Sequence, residues 1–264
     1  MMFKHIFEKR QLAKKLQQLL PFSTHQIYLG NGLWTMDKGV IAEKDLRTKV
    51  VLDQAGGSLR GKTILDLGCL EGGFTVAFAR LGAKMSVGVE AREISYQRCE
   101  ILRQYLKLRN LRFIHGDINV VLPQLQPFNI VFASGILYHM SDPYSLLKAI
   151  HVVCRDFAVI DTHIAQHDFP SHKCSAELVT RTFEGKTYVG RIYHEYDPCL
   201  PKDQVEGFLW AAYRDHDAFW PLEKSLEQML LDVGFHNIIK IYPSSELWQV
   251  DHKNRILLVV AISY

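Results

Sequence analysis

The sequence predicts an α/β protein: a parallel, doubly wound sheet with helices on both faces, closed by an antiparallel pair. Three observations carry this expectation. From Gly61 onward, short β-rich apolar runs alternate with helical stretches, the order that strand-helix-strand crossovers produce. Near the end, two strands follow one another with only a loop between them, too little chain for a parallel crossover. The composition also suits one soluble globule: 264 residues, 48% apolar and 22% charged, with a net charge of +3, where disorder would show fewer apolar residues and more net charge.

Taken in order, residues 1–60 read as an N-terminal helix, stopped by Pro21, and a lead-in segment. Residues 61–264 read as the main domain. Thr63 to Leu67 is a buried strand, and the stretch from Gly72-Gly73 to Arg80 a helix. Lys84 to Val89 is a second strand. Ile94 to Leu108, with Ile94, Ile101, Leu102, Tyr105 and Leu108 near one face, is a second helix. Leu111 to Ile114 is a third strand, followed by a short segment stopped at Pro123. Phe128 to Ala133 is a fourth, followed by a helix to Val153 in which Pro143 takes a favourable first-turn position. Phe157 to Thr162 is a fifth. Residues 163–220 break the rhythm and read as an aromatic insertion. The alternation resumes with a helix from Leu222 to Asp232 stopped by Gly234, then strands at Ile238 to Tyr242 and Ile256 to Ser263, with Pro243 to Asn254 as their hairpin connection.

Several classes are excluded or disfavoured. The longest aliphatic run, Ile256 to Ile262, is far short of the roughly 20 residues that span a bilayer, so no membrane partner is expected. Residues 1–20 lack the apolar core and cleavage site of a signal peptide. The cysteines (Cys69, Cys99, Cys154, Cys174 and Cys199) are odd in number, scattered and without a Cys-x-x-Cys pair, which suits a reducing compartment. A cytoplasmic location is the expectation. Residues 1–62 carry 11 basic and 5 acidic side chains, an arm of +6 that suits either phosphate or a solvated face. His163, His167, His172 and Cys174 match no regular zinc spacing, so no metal is expected.

In a doubly wound sheet, ligands bind beyond the carboxyl ends of the strands. The first strand-helix turn reads Asp66-Leu-Gly68-Cys69-Leu70-Glu71-Gly72-Gly73. Its glycines permit close backbone approach, and the following helix start offers unpaired N–H donors. Glu90, 22 residues beyond Gly68, ends the second strand, where an acid can accept from both hydroxyls of a ribose. Asp117 follows the third strand, where an acid can accept from an adenine amino group.

These runs, with Gly88-Val-Glu90-Ala91, Gly116-Asp117 and Phe128 to His139, resemble the class I S-adenosylmethionine-dependent methyltransferases over Gly61 to Thr162. The resemblance implies a Rossmann-like, seven-stranded doubly wound sheet with an antiparallel last strand, and S-adenosylmethionine as cofactor. It implies that the turn at Gly68 holds the methionine part, Glu90 the ribose and Asp117 the adenine. The implied cofactor residues are Asp66, Gly68, Cys69, Leu70, Gly72 and Gly73 in the first turn. Glu90, Ala91, Asp117, Ile118, Ser134 and Gly135 complete the set at later strand ends. Leu70 stands where many members carry a second glycine, and it also breaks the Gly-x-Gly-x-x-Gly fingerprint that a nicotinamide dehydrogenase needs.

On the acceptor side, Ala133-Ser134-Gly135-Ile136 is not the Asn/Asp-Pro-Pro-Tyr/Phe run of exocyclic-amine and glutamine methylases. Cys199, outside the expected strand tip, is no cytosine-methylase nucleophile. Leu137 to Pro143, Asp161-Thr162-His163 and the run from Phe219-Trp220 to Gly234-Phe235 resemble the small-molecule and wobble-uridine tRNA methyltransferase-like subset. His139 and His163 follow neighbouring strands, and either can serve as a base at neutral pH or as a hydrogen-bonded structural group. The insertion reads as a substrate cap, with Tyr138, Glu195, Tyr196 and Trp220 as acceptor contacts. The expected activity is methyl transfer to an oxygen or nitrogen of a small metabolite. The alternatives are a tRNA-modifying enzyme of the same fold, argued by the basic arm, and a non-catalytic S-adenosylmethionine-binding protein.

Overall fold

In the computed structural model, which describes residues 14–168, 173–242 and 254–262, the chain divides after Ile118 into two units. In the first, residues 14–19 are helical. The lead-in is more structured than the sequence suggests: β1 (Tyr28–Gly30) and β2 (Leu33–Trp34) form an antiparallel hairpin. Helix α1 (Leu46–Gln54) is capped by the Asp45 carboxylate, which accepts from the Arg47 N–H. Then come β3 (Thr63–Leu67), α2 (Gly73–Arg80), β4 (Met85–Glu90), α3 (Glu93–Leu106) and β5 (Leu111–His115). These strands pair in parallel, β3 with β4 and β4 with β5. Ile64, Leu65 and Leu67 are fully buried, as befits a strand covered on both faces, so its apolar residues do not alternate with exposed ones. Leu16, Phe22 and Ile27 of the N-terminal stretch share a core with Val76, Cys99, Leu102 and Phe113.

The second unit contains β6 (Phe128–Ser134), α4 (Pro143–Val153) and β7 (Cys154–His163). The Asp142 carboxylate caps α4 by accepting from the Ser145 N–H, with Pro143 in the first turn as predicted. Strand β7 begins three residues before the predicted Phe157, because Cys154 already pairs with Phe128 ahead of a register shift. The insertion is a sheet of its own: β8 (Val179–Phe183), β9 (Lys186–His194) and β10 (Asp217–Pro221) are antiparallel in the order β10-β9-β8. A short helix, α5 (Lys202–Glu206), lies between β9 and β10. Helix α6 (Glu223–Asp232) leads to β11 (Phe235–Ile241) and β12 (Arg255–Ile262).

The seven strands of the main sheet run β11-β12-β7-β6-β3-β4-β5, with β12 antiparallel to both neighbours. This is the Rossmann-like class I methyltransferase order, and the closing pair is antiparallel as chain length demanded. The predicted connection lies outside the described residues over 243–253. Among the described residues no helix is long and apolar enough to cross a membrane.

Candidate active site

In the first unit the turn after β3 is built by backbone conformations that few side chains adopt. Gly68 and Gly72 have φ of 65° and 78°, and Leu70, the residue replacing the family's second glycine, still adopts φ 49°. A Cβ on Gly72 would lie 2.7 Å from the Phe113 ring, so this position is also closed by packing. The Leu70 N–H donates to Glu90 Oε2 at 2.9 Å, and the Arg92 N–H donates to Glu90 Oε1 at 2.8 Å. The departure from glycine therefore leaves the turn tied to the tip of β4. Burial is the main cause that raises the Glu90 carboxyl above its ordinary range, against the pull of those N–H groups. A carboxylate offers about four acceptor sites, so Glu90 retains capacity for a ligand.

Asp66 points into the same region from β3, where Thr75 Oγ1 donates to it at 2.6 Å. Burial pushes its carboxyl up to about 7. Cys69 is buried with its sulfur 4.0 Å from that of Cys99. Gly73 opens α2, Ala91 follows β4, and Asp117 and buried Ile118 follow β5. His115 stacks on Tyr96 at 4.7 Å and contacts the Ala91 carbonyl.

Three residues here carry structure that the motif reading missed. Buried Glu71 accepts from the N–H groups of Ser23, Thr24 and His25 and pairs with Arg98 at 2.5 Å. His25 Nδ1 accepts from the Gly73 N–H at 3.2 Å, and burial, with the nearby Arg47 guanidinium, lowers its pKa to about 3. The lead-in segment is thus bonded to the glycine turn. An acid inside a glycine loop is a signal, but its partners lie 27 to 48 residues away.

The second unit brings together most of the predicted acceptor-side residues. Tyr138 and His139 lie in a single 3-10 turn, Leu137–His139, just after β6. His139 Nδ1 sits 2.7 Å from Glu195 Oε1, and the Ala212 N–H donates to Glu195 Oε2 at 3.1 Å. A carboxylate only accepts, so His139 Nδ1 carries the hydrogen and Nε2 keeps its lone pair in the neutral ring. His163, at the end of β7, stacks on Trp220 at 4.9 Å and meets Tyr138 edge-on at 4.6 Å. Trp220 Nε1 donates to the Tyr138 carbonyl at 2.8 Å, and Tyr193 stacks on the Trp220 ring at 4.3 Å. Tyr196 is half-buried after β9.

Ser134 and Gly135 both bond to Asp161: the hydroxyl donates to Asp161 Oδ2 at 2.9 Å, and the Gly135 N–H to its carbonyl. Fully buried Asp161 also takes a two-pronged pair from Arg255, at 2.7 and 2.6 Å. Among the described residues no three His, Cys, Asp or Glu side chains are placed to hold a metal ion. His172 lies outside the described residues.

A family model described as "Methyltransferase domain" matches residues 58–198, just over half the chain. Among curated proteins, the chain is 30% identical over 126 residues to a tRNA U34 carboxymethyltransferase of Dichelobacter nodosus, covering 47% of this chain and 39% of that protein. It is 30% identical over 149 residues to the one of Haemophilus influenzae, covering 54% and 43%. The chain thus matches about two fifths of these relatives' own length. Among solved structures, the N-terminal domain of EvdMO1, crystallised with SAH and D-fucose, superposes with TM-score 0.71 at 21% identity, covering 96% of this chain and 95% of that one. The SAH-bound magnesium protoporphyrin IX methyltransferase of Synechocystis PCC 6803 gives TM-score 0.53 at 16% identity, covering 86% and 90%. The turn after β3, the acid ending β4, the strand order and these matches agree: the chain belongs to the methyltransferase domain family and is an S-adenosylmethionine-dependent enzyme of the class I fold.

Proposed function

We propose that this enzyme methylates a hydroxyl oxygen of a tRNA nucleoside, with His139 as general base. The observation that carries the base assignment is the His139–Glu195 hydrogen bond, which fixes one tautomer and leaves Nε2 to accept a proton. Glu195 is held in turn by the Ala212 N–H, so the imidazole keeps its orientation. Glu195, named from the sequence as an acceptor contact, takes an orienting role in this reading. His163 and Trp220, stacked on each other with Tyr193 against Trp220, take packing roles, with Tyr138 as an acceptor-side wall.

The residues of the first unit suit the cofactor. Glu90 has acceptor capacity for a ribose diol, Asp117 can accept from an adenine amino group, and the backbone around Gly68 to Gly73 can approach a methionyl group closely. When bound, S-adenosylmethionine supplies an electrophilic methyl group on a sulfonium centre, for which orientation is the main requirement.

The tRNA assignment is supported by the names of the curated relatives and by the +6 arm of residues 1–62. A second reading, a small-molecule acceptor, is favoured by residues 163–220, which carry 6 basic and 9 acidic side chains and so do not attract phosphate. The test offers methyl-labelled S-adenosylmethionine with bulk tRNA and, separately, a low-mass extract. Label in tRNA that digestion releases as a nucleoside supports the first reading, and the mass gain distinguishes methyl from carboxymethyl. Label confined to the low-mass fraction transfers the assignment to the second.

A further inference from the structure

Arg47, the second residue of α1, lies against the start of α2. Its guanidinium carbon is 4.5 Å from the centroid of the Phe74 ring, and Phe74 follows Gly73 in the first turn of that helix. The Arg47 side chain is only 13% exposed. The His25 ring meets Phe74 edge-on at 5.5 Å and accepts from the Gly73 N–H, so Arg47, Phe74 and His25 form one wall beside the glycine turn. Asp45 aligns the guanidinium with a two-pronged pair, Nε donating to Oδ1 at 2.7 Å and Nη2 to Oδ2 at 2.9 Å. The Arg47 charge is felt at the turn: burial dominates the raised carboxyl of Asp66, and Arg47 is among the groups that pull it back.

The methionyl end of S-adenosylmethionine carries an ammonium and a carboxylate, and a carboxylate taken out of water needs donors. Much of what the turn could offer is already spent. The Cys69 N–H donates to the Val89 carbonyl, the Leu70 N–H to Glu90, the Gly72 N–H to the Cys69 carbonyl and the Gly73 N–H to His25. Buried Asp66 and Glu90 flank the same turn, and like charges placed side by side repel. An anionic group entering here therefore needs a cation close by. Arg98 is committed elsewhere, to Glu71, Ser23 and the Pro21 carbonyl.

We propose that Arg47 binds the α-carboxylate of S-adenosylmethionine, which adds a residue of the lead-in segment to the cofactor site. A guanidinium carries five N–H donors in a planar fork, so one that a first carboxylate has aligned can also serve a second. That geometry matches a carboxylate better than the point charge of a lysine does. This inference rests on the cofactor placement proposed above.

The test is calorimetric titration of the parent, Arg47→Met and Arg47→Lys with two compounds. One is SAH; the other is its decarboxylated analogue, in which an aminopropyl chain replaces the amino-acid end and only the carboxylate is missing. The parent should prefer SAH by roughly 10- to 100-fold, the range of hydrogen bonds to a charged group. Arg47→Met keeps an unbranched stem over Phe74 and should lose that preference while binding the analogue as tightly as the parent does. Arg47→Lys, a cation without the fork, should keep part of it. Parental affinity for the analogue separates loss of the carboxylate contact from loss of fold. A preference as large in Arg47→Met as in the parent assigns the carboxylate to another group and overturns the proposal, with the cofactor still at the turn. Equal weakening of both compounds in both variants makes Arg47 a structural residue and overturns it as well. A parent that binds neither compound overturns the cofactor placement too.

Discussion

Acidification should destabilise this protein through one histidine that no catalytic reading would select. His25 is buried against α2, with Nδ1 accepting from the Gly73 N–H at 3.2 Å, an arrangement only the unprotonated nitrogen can make. Burial, and then the Arg47 guanidinium, lower its pKa from 6.5 to about 3. Between those two values the unfolded chain binds a proton that the native ring refuses, so stability rises with pH. The contribution of neutral His25 is therefore complete above pH 6.5 and lost as pH falls toward 3. Linkage gives a loss of about 2 kcal/mol between roughly pH 7.5 and pH 5. The assay is urea unfolding of the parent and His25→Asn across that range. Asparagine offers an oxygen near the Nδ1 position but cannot titrate, and every other group contributes equally to both proteins. The stability advantage of the parent over His25→Asn should shrink by about 2 kcal/mol on acidification. A difference that stays constant with pH would show that His25 is not held neutral in the fold.

Asp66 should act with the opposite sign. Its carboxyl rises from 3.8 to about 7, mainly through burial, so its contribution is complete below pH 3.8 and lost as pH rises through 7. Asp66→Asn should gain on the parent by on the order of 4 kcal/mol between about pH 4 and pH 8, read by the same unfolding series. Glu71→Ala removes the acceptor of three backbone N–H groups and leaves Arg98 without its carboxylate. It should cost on the order of 3 kcal/mol in urea unfolding, and an unchanged midpoint would deny the clamp. Glu90→Ala should weaken SAH binding by on the order of 1.5–3 kcal/mol in calorimetry, and parental affinity in a folded variant would remove Glu90 from the ribose site.

Much of the main sheet was legible because its physics is local. Apolar runs such as Phe157 to Ile160 need burial on both faces, and Gly68, Gly72 and Gly73 mark a turn whose geometry few residues tolerate. The antiparallel end followed from loop length alone. The inserted sheet was not legible as strands: β8 exposes Thr180, Arg181 and Thr182, so its stabilising pairs lie across to β9 and leave no apolar period. The hairpin of Tyr28 and Trp34 was hidden likewise, being held by cross-strand contact and by Thr35 bonds to His25 and Ile27. At the candidate site, His139, His163, Glu195 and Trp220 were all named from the sequence. The pairing of His139 with Glu195 was not, since 56 residues separate them and no spacing encodes a tertiary hydrogen bond. Glu71 was read as part of a glycine turn, whereas its bonds run to the lead-in segment.

Whether His139 takes the proton is decided by turnover against pH in the parent, His139→Asn and Glu195→Gln, on whichever fraction accepts label. His139→Asn should lower turnover by about 10²–10⁴ with SAH affinity nearly intact. Glu195→Gln should lose less, because it removes the carboxylate that orients His139 and fixes its tautomer while leaving the imidazole in place. The same turnover and the same pH profile in all three proteins would contradict the base assignment and leave positioning alone to explain the transfer.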